Sequence, residues 1–277
     1  MTTTITYEAM TSRNIGLITE KEQRRLRGSV VAVLGMGGIG GVVAELLARA
    51  GVGRLKIVDR DVFEVSNLNR QIFAYAHTVG RKKTEVAREF LLGINPGLKV
   101  DVYDTVSEDN ADDVVSGADA IVLGIDTVAP CIAAMRAARA RGIPAVEGWA
   151  IPYGNVRVID SGTPSLEELY DLPTLSRPLA GISEKELAML DKLVLASLGR
   201  IPGVAGYYPP EVRAAMSDGS LPLRSFAPMV WLASVLVATE TIKVLLGRGR
   251  VARAPAWALY DPYEHRALHT ADGKDSS

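Results

Sequence analysis

Gly35, Gly37 and Gly40 stand in VAVLGMGGIGG (31–41), a G-x-G-x-x-G spacing between a β-branched run and an apolar run of helical period. Glycine at such a turn lets backbone amides approach a phosphate, and the helix that follows turns its positive end toward the same anion. Asp59 closes the next apolar run, where a carboxylate can accept hydrogen bonds from ribose hydroxyls. These residues alone fit NAD, FAD, S-adenosylmethionine or ATP. The segment DRDVFEVSNLNRQ (59–71) then crowds Asp61, Asn67, Arg70 and Gln71 directly after that acid, which an ordinary dehydrogenase has no evident need for.

Positioning these groups requires strands alternating with helices. Strands at 29–34 and 55–59 flank a helix at 39–50 that breaks at Gly51, a βαβ unit. A helix at 82–94 stops at Asn95-Pro96-Gly97; a strand at 100–103, a short helix at 110–116, a strand at 120–124, a helix at 128–141 and a strand at 145–148 follow. The pattern predicts an α/β, Rossmann-like fold: a mainly parallel sheet with helices on both faces. Residues 155–160 alternate and predict an antiparallel extension in the C-terminal part. A segment at 161–224, rich in Pro, Gly and Ser around one amphipathic helix at 184–198, reads as an insertion or crossover. A long helix at 227–246 and a strand at 257–260 resume the regular pattern. The expected division is an N-terminal segment 1–28, an ATP-binding core 29–160, the inserted segment 161–224, a C-terminal part 225–270 completing the same domain, and a disordered tail 271–277.

Composition narrows the function. With 277 residues and 48% hydrophobic content, the chain can bury a substantial core. A formal charge of -1 gives no global reason to expect nucleic acid or an anionic membrane. The most apolar helices are interrupted by Pro228, Glu240 and Lys243 or by several arginines, so they read as buried helices, not membrane spans. The start, MTTTITYEAM, carries no export signal, and the cytoplasm is the expected compartment. The one cysteine, Cys131, lies in a helix beside Ile132, Ala133 and Ala134, where a buried small apolar role is expected. His77, His265 and His269 are too scattered for a metal site or triad.

Beyond the glycine loop, GVG (51–53), DRD (59–61), SNLNRQ (66–71), VGRKK (79–83), INP (94–96) and Asp126 occur in order. FAPMVWLASVLVATETIKVLLGRG (226–249) and ALYDP (258–262) follow them. On these motifs the chain resembles the ThiF/MoeB/HesA superfamily, whose larger relatives are the ubiquitin-activating enzymes. The resemblance implies ATP- and Mg²⁺-dependent adenylation of a carboxylate. It places Asn67, Arg70 and Lys83 on the triphosphate, Asp126 on Mg²⁺, Asp59 on the ribose and the backbone around Gly38 near the phosphates; Asp61 and Gln71 join the nucleotide-binding set. Lys82 is expected in solvent, because the family spacing from Gly80 selects Lys83. Arg13, in SRNIGLIT, matches an arginine that reaches the nucleotide of the other subunit, which implies a homodimer joined through 227–246 and 51–53. Glu147 and Trp149, in VEGWAIPYG, match the turn on the acyl-substrate side.

The chain also departs from many members. TPSLEEL (163–169) and the residues after Tyr260 lack the two Cys-x-x-Cys pairs of the zinc knuckle, so no zinc is expected. The crossover segment lacks a nucleophilic cysteine. The implied chemistry ends with AMP displaced by a non-cysteine nucleophile, or with dehydration. Substrates open to it are the C-terminus of a small ubiquitin-like or sulfur-carrier protein, a peptide, or a small or RNA-linked amino acid; no basic stretch interleaved with aromatics supports the RNA. The competing readings are an NAD- or FAD-dependent oxidoreductase, which leaves Asn67, Arg70, Lys83 and Asp126 without a joint role, and a non-catalytic nucleotide-binding partner subunit.

Overall fold

The computed structural model describes residues 5–271, apart from 176, 200, 202–203, 219 and 222–223, together with 274–275. Two helices, α1 (Tyr7–Thr11) and α2 (Glu20–Gly28), precede strand β1 (Val30–Leu34). The chain then alternates through α3 (Gly38–Ala50), β2 (Arg54–Val58), α4 (Lys83–Ile94), β3 (Lys99–Tyr103), α5 (Ala111–Val115), β4 (Ala120–Leu123), α6 (Val128–Ala140) and β5 (Ala145–Glu147). After β6 (Gly154–Ile159) come α7 (Leu166–Leu169), α8 (Glu184–Leu198), α9 (Pro210–Asp218) and α10 (Ala227–Leu246). Strands β7 (Trp257–Asp261), β8 (Arg266–Ala271) and β9 (Lys274–Asp275) complete the described chain.

The nine strands form one sheet in the order β3-β2-β1-β4-β5-β6-β7-β8-β9. Strands β1 to β5 are parallel and β6 to β9 antiparallel, so the fold is Rossmann-like with an antiparallel extension, as the alternating pattern predicts. Strand order reverses between β1 and β4, whose register pairs Leu34 with Leu123. Ligands of open α/β sheets bind outside the carboxyl ends of the strands at such a reversal.

Both faces of the sheet are covered. Leu47, Val86, Leu91, Val230 and Val237 pack on one face, bringing α3, α4 and α10 together. Val114, Ile132, Leu166, Leu190 and Val194 cover the other, with α5 to α8. Helix α10 is long and apolar enough to cross a membrane by length and composition, yet half of it is buried, against α3 and β6. Its small residues and a left-handed Gly247 at its C-cap suit a helix laid on a sheet and stopped sharply.

Strand β6 begins the expected antiparallel extension, and every one of its residues is buried. Its charged residue is paired, since Arg157 faces Glu147 across the antiparallel register, and Asn155 bonds the backbone of Trp149 and Tyr153. Beyond β8, Lys274 and Asp275 pair with Ala271 and Thr270. Backbone pairing to an adjacent strand needs no apolar side chains; residues 272–273 and 276–277 lie outside the described set. The segment 161–224 holds α7 and α9 as well as the expected α8.

Candidate active site

Where β1 ends, the chain turns through Gly35 at φ +93°, and a side chain there would run into the carbonyl of Gly124. A side chain on Gly40 would strike the carbonyl of Gly35. These contacts seat the start of α3 directly on the ends of β1 and β4. Gly37, the N-cap of α3, offers no side chain to the first turn, and its carbonyl takes the amide of Gly41 at 3.1 Å. The amides of Gly38, Ile39 and Gly40 therefore fall among the four donors that a helix leaves unmatched at its N-terminus. Gly37 and Gly38 line a cavity of about 500 Å³; Gly40 lies beneath them, packed on the Gly35 carbonyl.

Asp59 enters this cavity from the end of β2. Its Oδ2 accepts the Met36 amide at 2.7 Å and its Oδ1 the Asp61 amide at 2.9 Å. Burial raises its carboxyl pKa, opposed by the positive charge of Lys83 and by those two amides. Lys83, in the first turn of α4, is buried along its stem, and its Nζ donates to Asp61 Oδ2 at 3.0 Å. Arg70 lines the cavity beside Gly38, with Nη1 donating to Ser66 O at 3.0 Å and Asn69 Oδ1 at 2.8 Å. Gln71 also lines it, and its Oε1 is buried without a hydrogen-bond partner among the described residues.

Asn67 is placed differently. It is buried, is not among the cavity's lining residues, and its Oδ1 accepts the Glu64 amide at 3.1 Å. Its carbonyl accepts the amides of Arg70 and Gln71 at 3.1 and 2.9 Å, so it shapes the turn that presents those two. Lys82 is exposed and pairs with Asp104 at 3.3 Å.

On the far side of the glycine turn, Asp126 follows β4 and is exposed within the cavity. A carboxylate at that point could have been spent capping α6. It is not: Thr127 is the N-cap residue, and the Val128 amide is taken by Oδ1 of Asp191 at 2.8 Å, from α8. The sequence reading passed over Asp191, although the Ser183–Glu186 capping box fixes the phase of α8 and puts residue 191 on the same helical stripe as Leu187, Leu190, Val194 and Leu198. An acid on that apolar stripe was the available signal.

The remaining wall lies under α7 and α8. Glu147 is 2% exposed; its Oε2 accepts Arg157 Nε at 2.5 Å, and its Oε1 accepts Tyr170 OH at 2.7 Å and Trp149 Nε1 at 3.1 Å. Tyr170 OH also accepts Trp149 Nε1 at 2.9 Å. Glu147 therefore holds Trp149 and Tyr170 in place, with its charge neutralised by Arg157. Cys131 lines the same wall; burial pushes its thiol pKa up, and the charges of Glu147, Asp126 and Asp191 push it further.

Arg13 does not reach this cavity. It is exposed beside Asn14, whose Nδ2 lies 3.4 Å from the Ala50 carbonyl at the C-terminal end of α3. The glycine turn lies at the other end of that 13-residue helix, about 20 Å away at 1.5 Å per residue. Among the described residues no three His, Cys, Asp or Glu side chains converge as a metal site.

A doubly wound sheet with a glycine turn, a half-buried acid and three cations at its switch point has the form of a nucleotide-binding α/β protein. Residues 11–276 match the ThiF family, and the chain belongs to that family. It is 35% identical over 130 residues to the tRNA threonylcarbamoyladenosine dehydratase of Bacillus subtilis, covering 44% of this chain and 51% of that protein. It is 39% identical over 127 residues to the SAMP-activating enzyme E1 of Haloferax volcanii, covering 46% and 47%. The chain thus spans about half the length of these curated relatives. The structure of the E. coli tRNA N6-threonylcarbamoyladenosine dehydratase in complex with AMP superimposes with a TM-score of 0.62 at 25% identity, covering 89% of this chain and 98% of that one.

Proposed function

We propose that this chain adenylates a carboxylate with ATP. One observation carries the reading: Arg70 and Lys83 flank the glycine turn on one side and Asp126 faces it from the other, within a single cavity. A dinucleotide site has no use for that set. In the reaction, a substrate carboxylate oxygen forms a bond to the α-phosphorus while the bond from that phosphorus to the β-phosphate's bridging oxygen breaks, releasing pyrophosphate. The α3 amides and the Arg70 and Lys83 cations are suited to hold the triphosphate and to stabilise charge gathering on the leaving group.

Mg²⁺ fits Asp126, a carboxylate left over from helix capping, because Mg²⁺ is commonly held by one or two carboxylates together with substrate phosphates. Bound there, it would neutralise phosphate oxygens.

The acyl adenylate then loses AMP to a nucleophile other than Cys131, or to an internal oxygen or nitrogen with net loss of water. The likeness to a dehydratase supports the second course, and the likeness to a SAMP-activating enzyme keeps a small carrier protein among the substrates.

The active form is proposed to be a homodimer in which Arg13 serves the partner's nucleotide. Its distance from the glycine turn of its own chain supports action in trans. The exposed Trp231 and Val235, one turn apart on α10, supply an apolar face for the two-fold contact, and Trp231 Nε1 donates to the Arg70 carbonyl at 2.8 Å.

Calorimetry with ATP–Mg²⁺ and with NADH tests the reading, together with exchange of labelled pyrophosphate into ATP. Tighter binding of NADH than of ATP–Mg²⁺ overturns it.

A further inference from the structure

The cavity is chemically divided. The cations that line it, Arg60, Arg70 and Lys83, lie toward the glycine turn beside Asp59 and Asp61, whereas the end under α7 and α8 presents carboxylates with no cation on the cavity wall, against apolar Trp149, Leu166, Val194 and Leu195. Arg157 neutralises Glu147 at that end, and Asp126 is assigned to the nucleotide's metal. Asp191 has neither relief. Its Oδ1 is fixed by the Val128 amide, and among the described residues no group bonds its Oδ2. Burial raises its carboxyl pKa, the Val128 amide opposes this, and the charge of Asp126 adds to it.

A substrate entering as a bare anion would meet like charge here. One that carries a nitrogen donor beside its carboxyl would satisfy Oδ2 and compensate the charge.

Resting on the adenylation reading, we propose that Asp191 is the specificity residue of the acyl end, selecting an amino-acid-like substrate by a hydrogen bond from the amine beside the adenylated carboxyl. The helix cap holds the carboxylate in one orientation, and a preset acceptor discriminates strongly against an analogue that lacks the donor, because a desolvated polar group is then left unpaired.

The test uses two stable mimics of an acyl adenylate, alanyl-sulfamoyladenosine and propionyl-sulfamoyladenosine, which differ only in the amine. Dissociation constants are measured by calorimetry on the full chain and on Asp191→Asn. Asparagine can keep the Val128 cap through its oxygen, but then turns an NH₂ donor to the cavity in place of an acceptor. The alanyl compound is expected to bind the wild-type protein at least tenfold more tightly than the propionyl one. In Asp191→Asn that preference should fall below threefold while affinity for AMP is unchanged. Equal binding of the two compounds by the wild-type protein, or an undiminished preference in Asp191→Asn, overturns the assignment and leaves adenylation standing. Binding of neither compound overturns the assignment, and loss of pyrophosphate exchange with it overturns the adenylation reading too. Should Asp191→Asn fail to fold, the wild-type ratio alone decides.

Discussion

Lys83 Nζ lies 3.0 Å from Asp61 Oδ2, and this contact fastens the first turn of α4 to the loop that leaves β2. The lysine stem is buried, so the ammonium is aimed at the cavity before any phosphate arrives. Such preorganisation lets a charge act on a transition state without reorganising at the moment of reaction.

Removing either cation should therefore slow chemistry more than it weakens folding. Lys83→Ala and Arg70→Ala are each expected to raise the adenylation barrier by about 2–4 kcal/mol. Pyrophosphate exchange reports the loss, and circular dichroism should show an intact fold. Near-normal exchange in both variants would place the triphosphate elsewhere.

Arg13 and Asp126 should complement each other across a dimer. Each of Arg13→Ala and Asp126→Ala is expected to be inactive alone. A mixture in which subunits exchange should recover activity in the heterodimers, where one of the two sites is assembled from the unmutated Asp126 of one chain and the unmutated Arg13 of the other. No recovery after verified exchange would rule out action in trans.

Cys131 should be dispensable. Burial and three neighbouring carboxylates hold its thiol pKa above the ordinary range, so little thiolate forms at neutral pH. Cys131→Ala should keep turnover within a few fold at equal folded concentration, with Cys131→Ser less stable for its buried hydroxyl. A reductant-sensitive thioester on Cys131, joined to loss of turnover in a folded alanine variant, would contradict this.

Asp191 should also leave a signature in stability. Because burial raises its folded carboxyl pKa, the native state keeps that proton to higher pH than the unfolded chain does. Its contribution is full below the unfolded value and is lost as pH rises through the folded one. Asp191→Asn lacks this titration and can keep the cap on Val128. Its melting temperature is expected to gain on that of the wild-type protein as pH rises above the usual carboxylate range, a gain that scanning calorimetry at several pH values would detect or exclude.

What the sequence made legible follows from the range of the interactions concerned. The glycine turn, Asp59 and the alternating elements depend on neighbours a few residues apart, and these stand where the spacing predicts. Asn67 reads in sequence as one more ligand, but its side chain is occupied within its own turn, a local hydrogen bond that composition does not reveal. Asp191 lies 63 residues from the amide it caps, and no local pattern names its partner. Arg157 finds its partner only across the sheet, where β6 runs beside β5 and Glu147 meets it.

Helix α8 closes the cavity from above while holding α6 through Asp191, so it cannot swing far without disturbing the loop that carries Asp126. A space of about 500 Å³ is the size of an ordinary small-ligand site, and a nucleotide takes up much of it. A macromolecule could therefore be read only at its tip: a flexible terminus or a protruding side group threads in, and the body of the partner stays outside, free to differ from one client to the next.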